Sequence, residues 1–304
     1  MIVLVCPGQG SQTPGFLTPW LEDPANRTLL EQYSEVAGLD LVAHGTTSDA
    51  DTIRDTRVAQ PLIVAAGLLT LRALTANRGL PAATAVAGHS VGEITAAVVA
   101  GVLDELTAMR FVAARATAMA EAAAAVPTGM SAVLGGDQDA LLSRLDELGL
   151  QPANFNGGGQ IVVAGTLDAL AELSAAPLAG TRVLPLQVAG AFHTRYMESA
   201  RTTLDSTAQS LQASDPVRTL WTNADGTVVD SGSRFVELLV GQVASPVRWD
   251  LTMEGMQAAG VTGIIELAPA GALTGLARRG LKGVPAVGIK TPDDLPAAVD
   301  LLAA

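Results

Sequence analysis

The sequence predicts an α/β fold in which a large domain, residues 1–126 and 197–304, is interrupted by a small inserted α+β domain at 127–196. Three observations carry this reading. Two apolar strand-like runs, separated by a long helical stretch, lie in the first hundred residues, and the second leads directly into Gly88-His89-Ser90-Val91-Gly92. The texture then shortens after Pro127-Thr128-Gly129 into a β-α-β-β-α-β order over about sixty residues, the pattern of a ferredoxin-like unit. From Tyr196 the longer helical period returns. A chain of 304 residues is long enough for both parts.

Ile2 to Val5 reads as a buried strand because it is an unbroken apolar run, and Pro7-Gly8-Gln9-Gly10-Ser11-Gln12 ends it in a tight, backbone-exposed loop. A helix is expected from about Pro61 through Leu62, Leu68, Leu69, Leu71 and Leu74 to near Gly79, followed by a strand at 84–87. A helical run at 94–100 and a long Ala-rich helix at 105–125, capped by Asp104, come next. The inserted part is read as strands at 130–134, 153–156, 161–164 and 181–186 with helices at 139–148 and 167–174. Helices near 196–211, 233–241 and 250–259, strands near 218–222 and 262–267, and a helix after Pro292 complete the chain.

Hydrophobic residues make up 49% of the chain and charged residues 16%, more core-forming material than a disordered chain carries. The net charge of -12 argues against nucleic acid as a partner, since binding a polyanion needs surplus Lys and Arg. The opening Met1-Ile2-Val3-Leu4-Val5-Cys6-Pro7 lacks a basic flank and is too short an apolar run for a signal peptide. No later run is read as approaching bilayer length, which predicts a cytoplasmic protein with no membrane partner. Cys6 is the single cysteine and, inside an apolar strand, reads as an inert buried thiol. No HExxH or paired-Cys spacing appears, so neither a metal nor another cofactor is predicted.

Gly88-His89-Ser90-Val91-Gly92 matches GxSxG, whose small residues permit a sharp strand-to-helix turn that lifts the serine hydroxyl clear of the backbone, and this makes the large domain α/β-hydrolase-like. Ser90 would then sit near a helix N-terminus, where the Val91 amide can face a developing oxyanion. Such a nucleophile needs a base. His89 is adjacent and points away on a sharp turn; His44 lies in a polar, loop-like stretch and reads as solvated or locally hydrogen-bonded. His193, in the Gly-marked connection Gly190-Ala191-Phe192-His193-Thr194, is the candidate base. No carboxylate is picked out to orient it: Asp225 and Asp230 follow the histidine, and Asp146 or Asp168 would have to come from the inserted domain. A backbone or amide carbonyl can serve instead. Arg115, in an otherwise apolar helix with Met119 one turn on, either snorkels to water or holds a carboxylate in a bidentate fork. The Gly8-Gln9-Gly10 loop lacks dinucleotide spacing and offers an amide to an oxyanion or is only a turn. Gly157-Gly158-Gly159 reads as a hairpin or flexible loop.

With these motifs in order, the chain resembles the malonyl-CoA:acyl carrier protein transacylases over nearly its whole length. The matching stretches are Pro7-Gly8-Gln9-Gly10-Ser11-Gln12, Gln60-Pro61, Gly88 to Glu93, Arg115 with Met119, Asn154-Phe155-Asn156 with Gln160, Gly190 to His193, Gln242 before Ser245-Pro246-Val247-Arg248-Trp249, and Leu273-Thr274-Gly275-Leu276. The resemblance implies Ser90 as the acylated nucleophile, His193 as its base, and the backbone carbonyl of Gln242 as the group that orients the imidazole. It implies Arg115 as the partner of the malonyl carboxylate, the amides of Gln9 and Val91 as the oxyanion hole, and Phe192 as a residue narrowing the pocket beside the α carbon. Gln60, Met119 and Asn156 are the further substrate-binding positions. Ala116 and Ala270 stand where the family commonly has glycine, swaps that fit unless those glycines need positive φ. The implied donor is malonyl-CoA and the acceptor a holo acyl carrier protein, received by a monomer. Such carriers are acidic, as is this chain, so docking is assigned to a local basic patch at Arg278, Arg279 and Lys282. The alternatives are a serine thioesterase or hydrolase, a family member using another extender unit, and a non-catalytic scaffold.

Overall fold

The computed structural model describes residues 1–188 and 190–303. Its strands are β1 (Ile2–Cys6), β2 (Ala85–Gly88), β3 (Thr128–Gly135), β4 (Gln151–Gly157), β5 (Gln160–Thr166), β6 (Thr181–Pro185), β7 (Leu220–Trp221), β8 (Val247–Arg248), β9 (Gly263–Glu266) and β10 (Ala286–Gly288). They form two five-stranded sheets, ordered β10-β9-β1-β2-β7 and β6-β3-β5-β4-β8. The first is parallel throughout, with β1 central between β2 and β9. A parallel sheet covered on both faces needs apolar side chains in both directions, which is why its strands read as continuous apolar runs. Leu4, Cys6 and Val86 enter one core, and Val3, Val5, Ala85 and Ala87 the other.

The helices are α1 (Pro24–Ala37), α2 (Leu41–Thr46), α3 (Thr56–Thr75), α4 (Gly92–Val99), α5 (Glu105–Ala125), α6 (Gln138–Leu148), α7 (Leu167–Ala175), α8 (Glu198–Ala208), α9 (Gly232–Gly241), α10 (Trp249–Ala258), α11 (Ala272–Gly280) and α12 (Leu295–Ala303). Asp104 caps α5 as expected, accepting from the Thr107 N–H. The start of α3 differs from the expected Pro61. Asp55 caps the helix at Arg57, and Pro61 lies one turn inside it. The carbonyl deprived of its partner by the proline ring belongs to Arg57, an exposed residue whose backbone can turn to water. By length and composition α3 is also apolar enough to cross a bilayer, contrary to the expectation that no run approaches that length; in this fold 78% of its apolar window is buried.

The second sheet has its first four strands in the antiparallel order of a ferredoxin-like unit, with α6 and α7 as the two crossovers. Gly158 and Gly159 form the turn between β4 and β5, and both have the positive φ that a two-residue hairpin demands. The fifth strand, β8, comes from far along the chain and pairs parallel to β4 through Asn154 with Val247 and Phe155 with Arg248.

Several elements went unread in the sequence. In α1 the buried residues are Asn26, Leu30 and Tyr33, too sparse and polar for a clear period, and α11 hides behind two glycines and a pair of arginines. The short β8 and β10 carry almost no pattern.

The junction of the first sheet with α4 is close-packed. A Cβ on Gly92 would lie 2.0 Å from the Cys6 carbonyl oxygen, and one on Gly88 would lie 2.2 Å from the Glu93 nitrogen. Because both obstacles are backbone, Gly92→Ala is expected to destabilise the protein by about 3 kcal/mol in denaturant unfolding. A loss below about 1 kcal/mol would contradict this packing.

Candidate active site

Ser90 occupies the turn between β2 and α4 with φ at +53°, a left-handed conformation costing a non-glycine residue about 1–3 kcal/mol. Both of its backbone polar groups are fixed. Its N–H donates to Asn223 Oδ1 at 2.7 Å, and its carbonyl accepts from Gln242 Nε2 and from the Glu93 N–H, each at 3.0 Å. His193 is the only other non-glycine residue with positive φ among the described residues, at +61°, and its N–H donates to the Val243 carbonyl at 2.9 Å. The two strained residues face each other, with Ser90 Oγ 2.7 Å from His193 Nε2. On the far side of the ring, Nδ1 lies 2.8 Å from the Gln242 carbonyl. A carbonyl only accepts, so the ring proton sits on Nδ1 and the Nε2 lone pair faces the hydroxyl. Burial, reinforced by the nearby Arg115 cation, pushes the imidazole down to about 3, and the ring is neutral at physiological pH.

Arg115 is 1% exposed, which rules out snorkelling. One terminal nitrogen donates to Gln60 Oε1 at 2.6 Å; the other donates to Gln242 Oε1 at 2.6 Å and lies 3.4 Å from Ser90 Oγ. Gln60 is itself held by its Nε2 against Met119 Sδ at 3.5 Å. Burial lowers the guanidinium to about 10, partly offset by Glu93, so the group stays charged at neutral pH. Glu93 is reached through the Gln242 amide, whose Nε2 donates to Glu93 Oε2 at 2.5 Å, while Glu93 Oε1 accepts from the Asn223 N–H at 2.7 Å. Burial pushes this carboxyl up to about 7 against the hydrogen bonds and the Arg115 charge that favour its ionised form.

Ser90, His193 and Arg115 line a cleft of about 430 Å³ between the two sheets. Gln9 and Val91 border it, and the N–H of each has no hydrogen-bond partner among the described residues. Phe192, Met119, Gln60 and Asn156 complete the wall near the serine. Gln242 lies behind it, touching the site through its amide and carbonyl. Arg279 reaches the rim, 3.5 Å from Gln160 Oε1, whereas Arg278 and Lys282 are exposed outside the cleft lining.

His89 also lines the cleft and is engaged elsewhere than the serine, its Nε2 pairing with Asn156 Oδ1 at 2.9 Å. His44 is locally bonded, Nδ1 to Ser48 Oγ at 3.0 Å, but in α2 rather than a loop, because Asp40 caps a helix there at Ala43. Cys6 is buried, and burial drives its thiol upward, away from reactivity. Ala116 and Ala270 both have negative φ and fit. Sequence reasoning missed two residues of the site. Glu93 was only the tail of a motif, and Asn223 sat in a turn-rich stretch with nothing to distinguish it.

A family model of the acyl transferase domain matches residues 3–294. The chain is 48% identical over 302 residues to the malonyl CoA-acyl carrier protein transacylase of Mycobacterium tuberculosis, covering 99% of this chain and 100% of that protein. It is 32% identical over 304 residues to the protein of the same name from Escherichia coli, with 98% of each covered. The crystal structure of MCAT from Mycobacterium tuberculosis superposes with a TM-score of 0.93, covering 100% of both chains.

The raised carboxyl of Glu93 has a thermodynamic consequence. Its stabilising contribution is complete below the ordinary value of 4.5 and is lost as pH rises through about 7, since the folded state binds the proton more tightly. Glu93→Gln removes that titration, so the stability of the variant relative to wild type should climb across this window in denaturant melts. A pH-independent difference would show that Glu93 ionises normally in the fold.

Proposed function

Because the chain belongs to the malonyl-CoA:acyl carrier protein transacylases, acyl transferases that work through a serine, we propose that Ser90 is that serine, His193 its general base and Arg115 the receptor for the malonyl carboxylate. The protein transfers malonyl from malonyl-CoA to acyl carrier protein. The observation that carries the residue assignment is a buried, charged guanidinium 3.4 Å from a serine hydroxyl that is itself 2.7 Å from a neutral imidazole. Nucleophile, base and carboxylate receptor thus meet at one point.

In the first half-reaction His193 Nε2 takes the Ser90 proton as Oγ attacks the thioester carbonyl. The tetrahedral oxyanion is received by the N–H groups of Gln9 and Val91. On collapse the C–S bond breaks, the imidazolium returns the proton to the departing sulfur, and free CoA leaves a malonyl-Ser90 ester. In the second half the phosphopantetheine thiol gives its proton to His193 and attacks the ester, and Ser90 is reprotonated as it leaves. The Gln242 carbonyl stabilises the imidazolium in both halves. Arg115 has five N–H donors and two are taken by amide oxygens, so a fork remains for a carboxylate. Pairing with that carboxylate also offsets the Arg115 charge that depresses His193, making the base stronger when the carboxylated donor is bound.

Phe192 narrows the cleft beside the α carbon, favouring malonyl over branched donors, with Gln60, Met119 and Asn156 shaping the remaining wall. Arg278, Arg279 and Lys282 form the carrier-docking patch, supported by their exposure on and just beyond α11 and by Arg279 reaching the cleft rim. We take the inserted domain to span 127–196. The enzyme is read as a cytoplasmic monomer with neither nucleic acid nor membrane as partner, in keeping with its net charge of -12.

Intact mass after brief exposure to malonyl-CoA should show one malonyl adduct that moves to holo carrier protein on its addition; CoA release without an adduct or an acylated carrier would support hydrolysis instead. Arg115→Ala should cost malonyl transfer about 10²-fold in kcat/KM while acetyl transfer falls far less, and equal losses would remove the carboxylate role. Reversing Arg278 and Lys282 to Glu should raise the carrier KM several-fold and leave self-acylation intact.

A further inference from the structure

Glu93 is wholly buried at the start of α4, and both of its oxygens are engaged, one by the Asn223 N–H at 2.7 Å and the other by Gln242 Nε2 at 2.5 Å. The second contact bears on the chemistry. A primary amide can turn over about its terminal bond with almost no change of shape, exchanging its oxygen for its NH2. As it stands, Gln242 presents Oε1 to Arg115 at 2.6 Å. Turned over, it would set two N–H donors against the guanidinium. In its ionised form Glu93 accepts and does not donate, so the carboxylate admits only the first arrangement, and the charge-assisted bond outweighs the neutral one that Nε2 makes to the Ser90 carbonyl at 3.0 Å.

We propose that Glu93 is a positioning residue for donor selectivity: its carboxylate fixes the orientation of the Gln242 amide, and through it the guanidinium of Arg115, for receipt of the malonyl carboxylate. This rests on the assignment of Arg115 made above. Asn223 backs the arrangement from behind. Its N–H holds Glu93 while its Oδ1 holds the Ser90 N–H, so the carboxylate receptor and the nucleophile turn share one support. Separate supports would let the guanidinium drift relative to Ser90 Oγ; a shared one keeps their spacing constant.

The test measures kcat/KM for malonyl-CoA and acetyl-CoA with one holo carrier protein, in wild type, Arg115→Ala, Glu93→Gln, Gln242→Met and the Glu93→Gln/Gln242→Met double variant. Glu93→Gln puts an NH2 where Gln242 needs an acceptor, and should lower the malonyl-over-acetyl ratio about tenfold. In the Gln242→Met background the same change should lower the ratio no further, because the link is already cut. An unchanged ratio in Glu93→Gln, or equal losses for both donors, while Arg115→Ala collapses the ratio, overturns the positioning role and leaves the Arg115 assignment standing. If Arg115→Ala also leaves the ratio unchanged, both fall. Should Glu93→Gln not fold by circular dichroism, Glu93→Asp, which keeps a carboxylate but draws it back from the Gln242 amide, decides: a reduced ratio supports the role, and an unchanged ratio overturns it.

Discussion

A positive charge buried beside the serine is the constraint around which this molecule is arranged. Removing an ammonium or guanidinium from water costs several kcal/mol unless its donors are satisfied and its charge is answered. Arg115 is nonetheless 1% exposed and, among the described residues, touches no carboxylate directly. Its short hydrogen bonds go to two neutral amides, Gln60 and Gln242, a longer one of 3.4 Å reaches Ser90 Oγ, and the carboxyl nearest in the network is Glu93, one amide further on. A direct ion pair would have quenched the cation and left little for a ligand. Holding the carboxylate at one remove keeps the guanidinium affordable to the fold while its field still reaches the cleft.

The same economy of parts explains why backbone strain appears where it does. Ser90 and His193 adopt the left-handed conformation with side chains that disfavour it, and each has its N–H tied to a residue on another segment. Gln242 joins the two. Its carbonyl accepts from His193 Nδ1, its Nε2 donates to the Ser90 carbonyl, and its Oε1 accepts from Arg115. One residue therefore sets the tautomer of the base, pins the turn of the nucleophile and steadies the cation. Removing its side chain would leave the first role intact and abolish the others, because the first belongs to the backbone.

Much of this was legible in the sequence because it is local. The apolar runs of β1 and β2, the small residues around Ser90, the Asp104 cap and the three-glycine hairpin each carry their reason within a few neighbours. What was hidden is what joins distant segments. Asn223 meets Glu93 across 130 residues and Gln242 meets it across 149, and no spacing in a single chain announces such pairs. The sequence reading also found no acid for His193, and the structure gives the reason: a main-chain carbonyl fills that place, and every residue has one.

The two residues of β8 follow from the same logic at the scale of the fold. The cleft lies between the sheets, so its width depends on how they are held relative to each other. Val247 and Arg248 pair with Asn154 and Phe155 only a few positions after Gln242, and the Arg248 N–H donates to the Asn223 carbonyl at 2.6 Å. The segment that carries Gln242 thus becomes an edge of the second sheet and touches the strand end that supports Ser90. Arg248 is also bound by Asp250 through two hydrogen bonds and lies over the Phe155 ring at 4.7 Å. The second sheet is therefore bolted to the catalytic support itself and does not hang from the two chain crossings alone. The wall that carries Asn156 is held in register with Ser90 by main-chain hydrogen bonds, which tolerate side-chain variation far better than packing would.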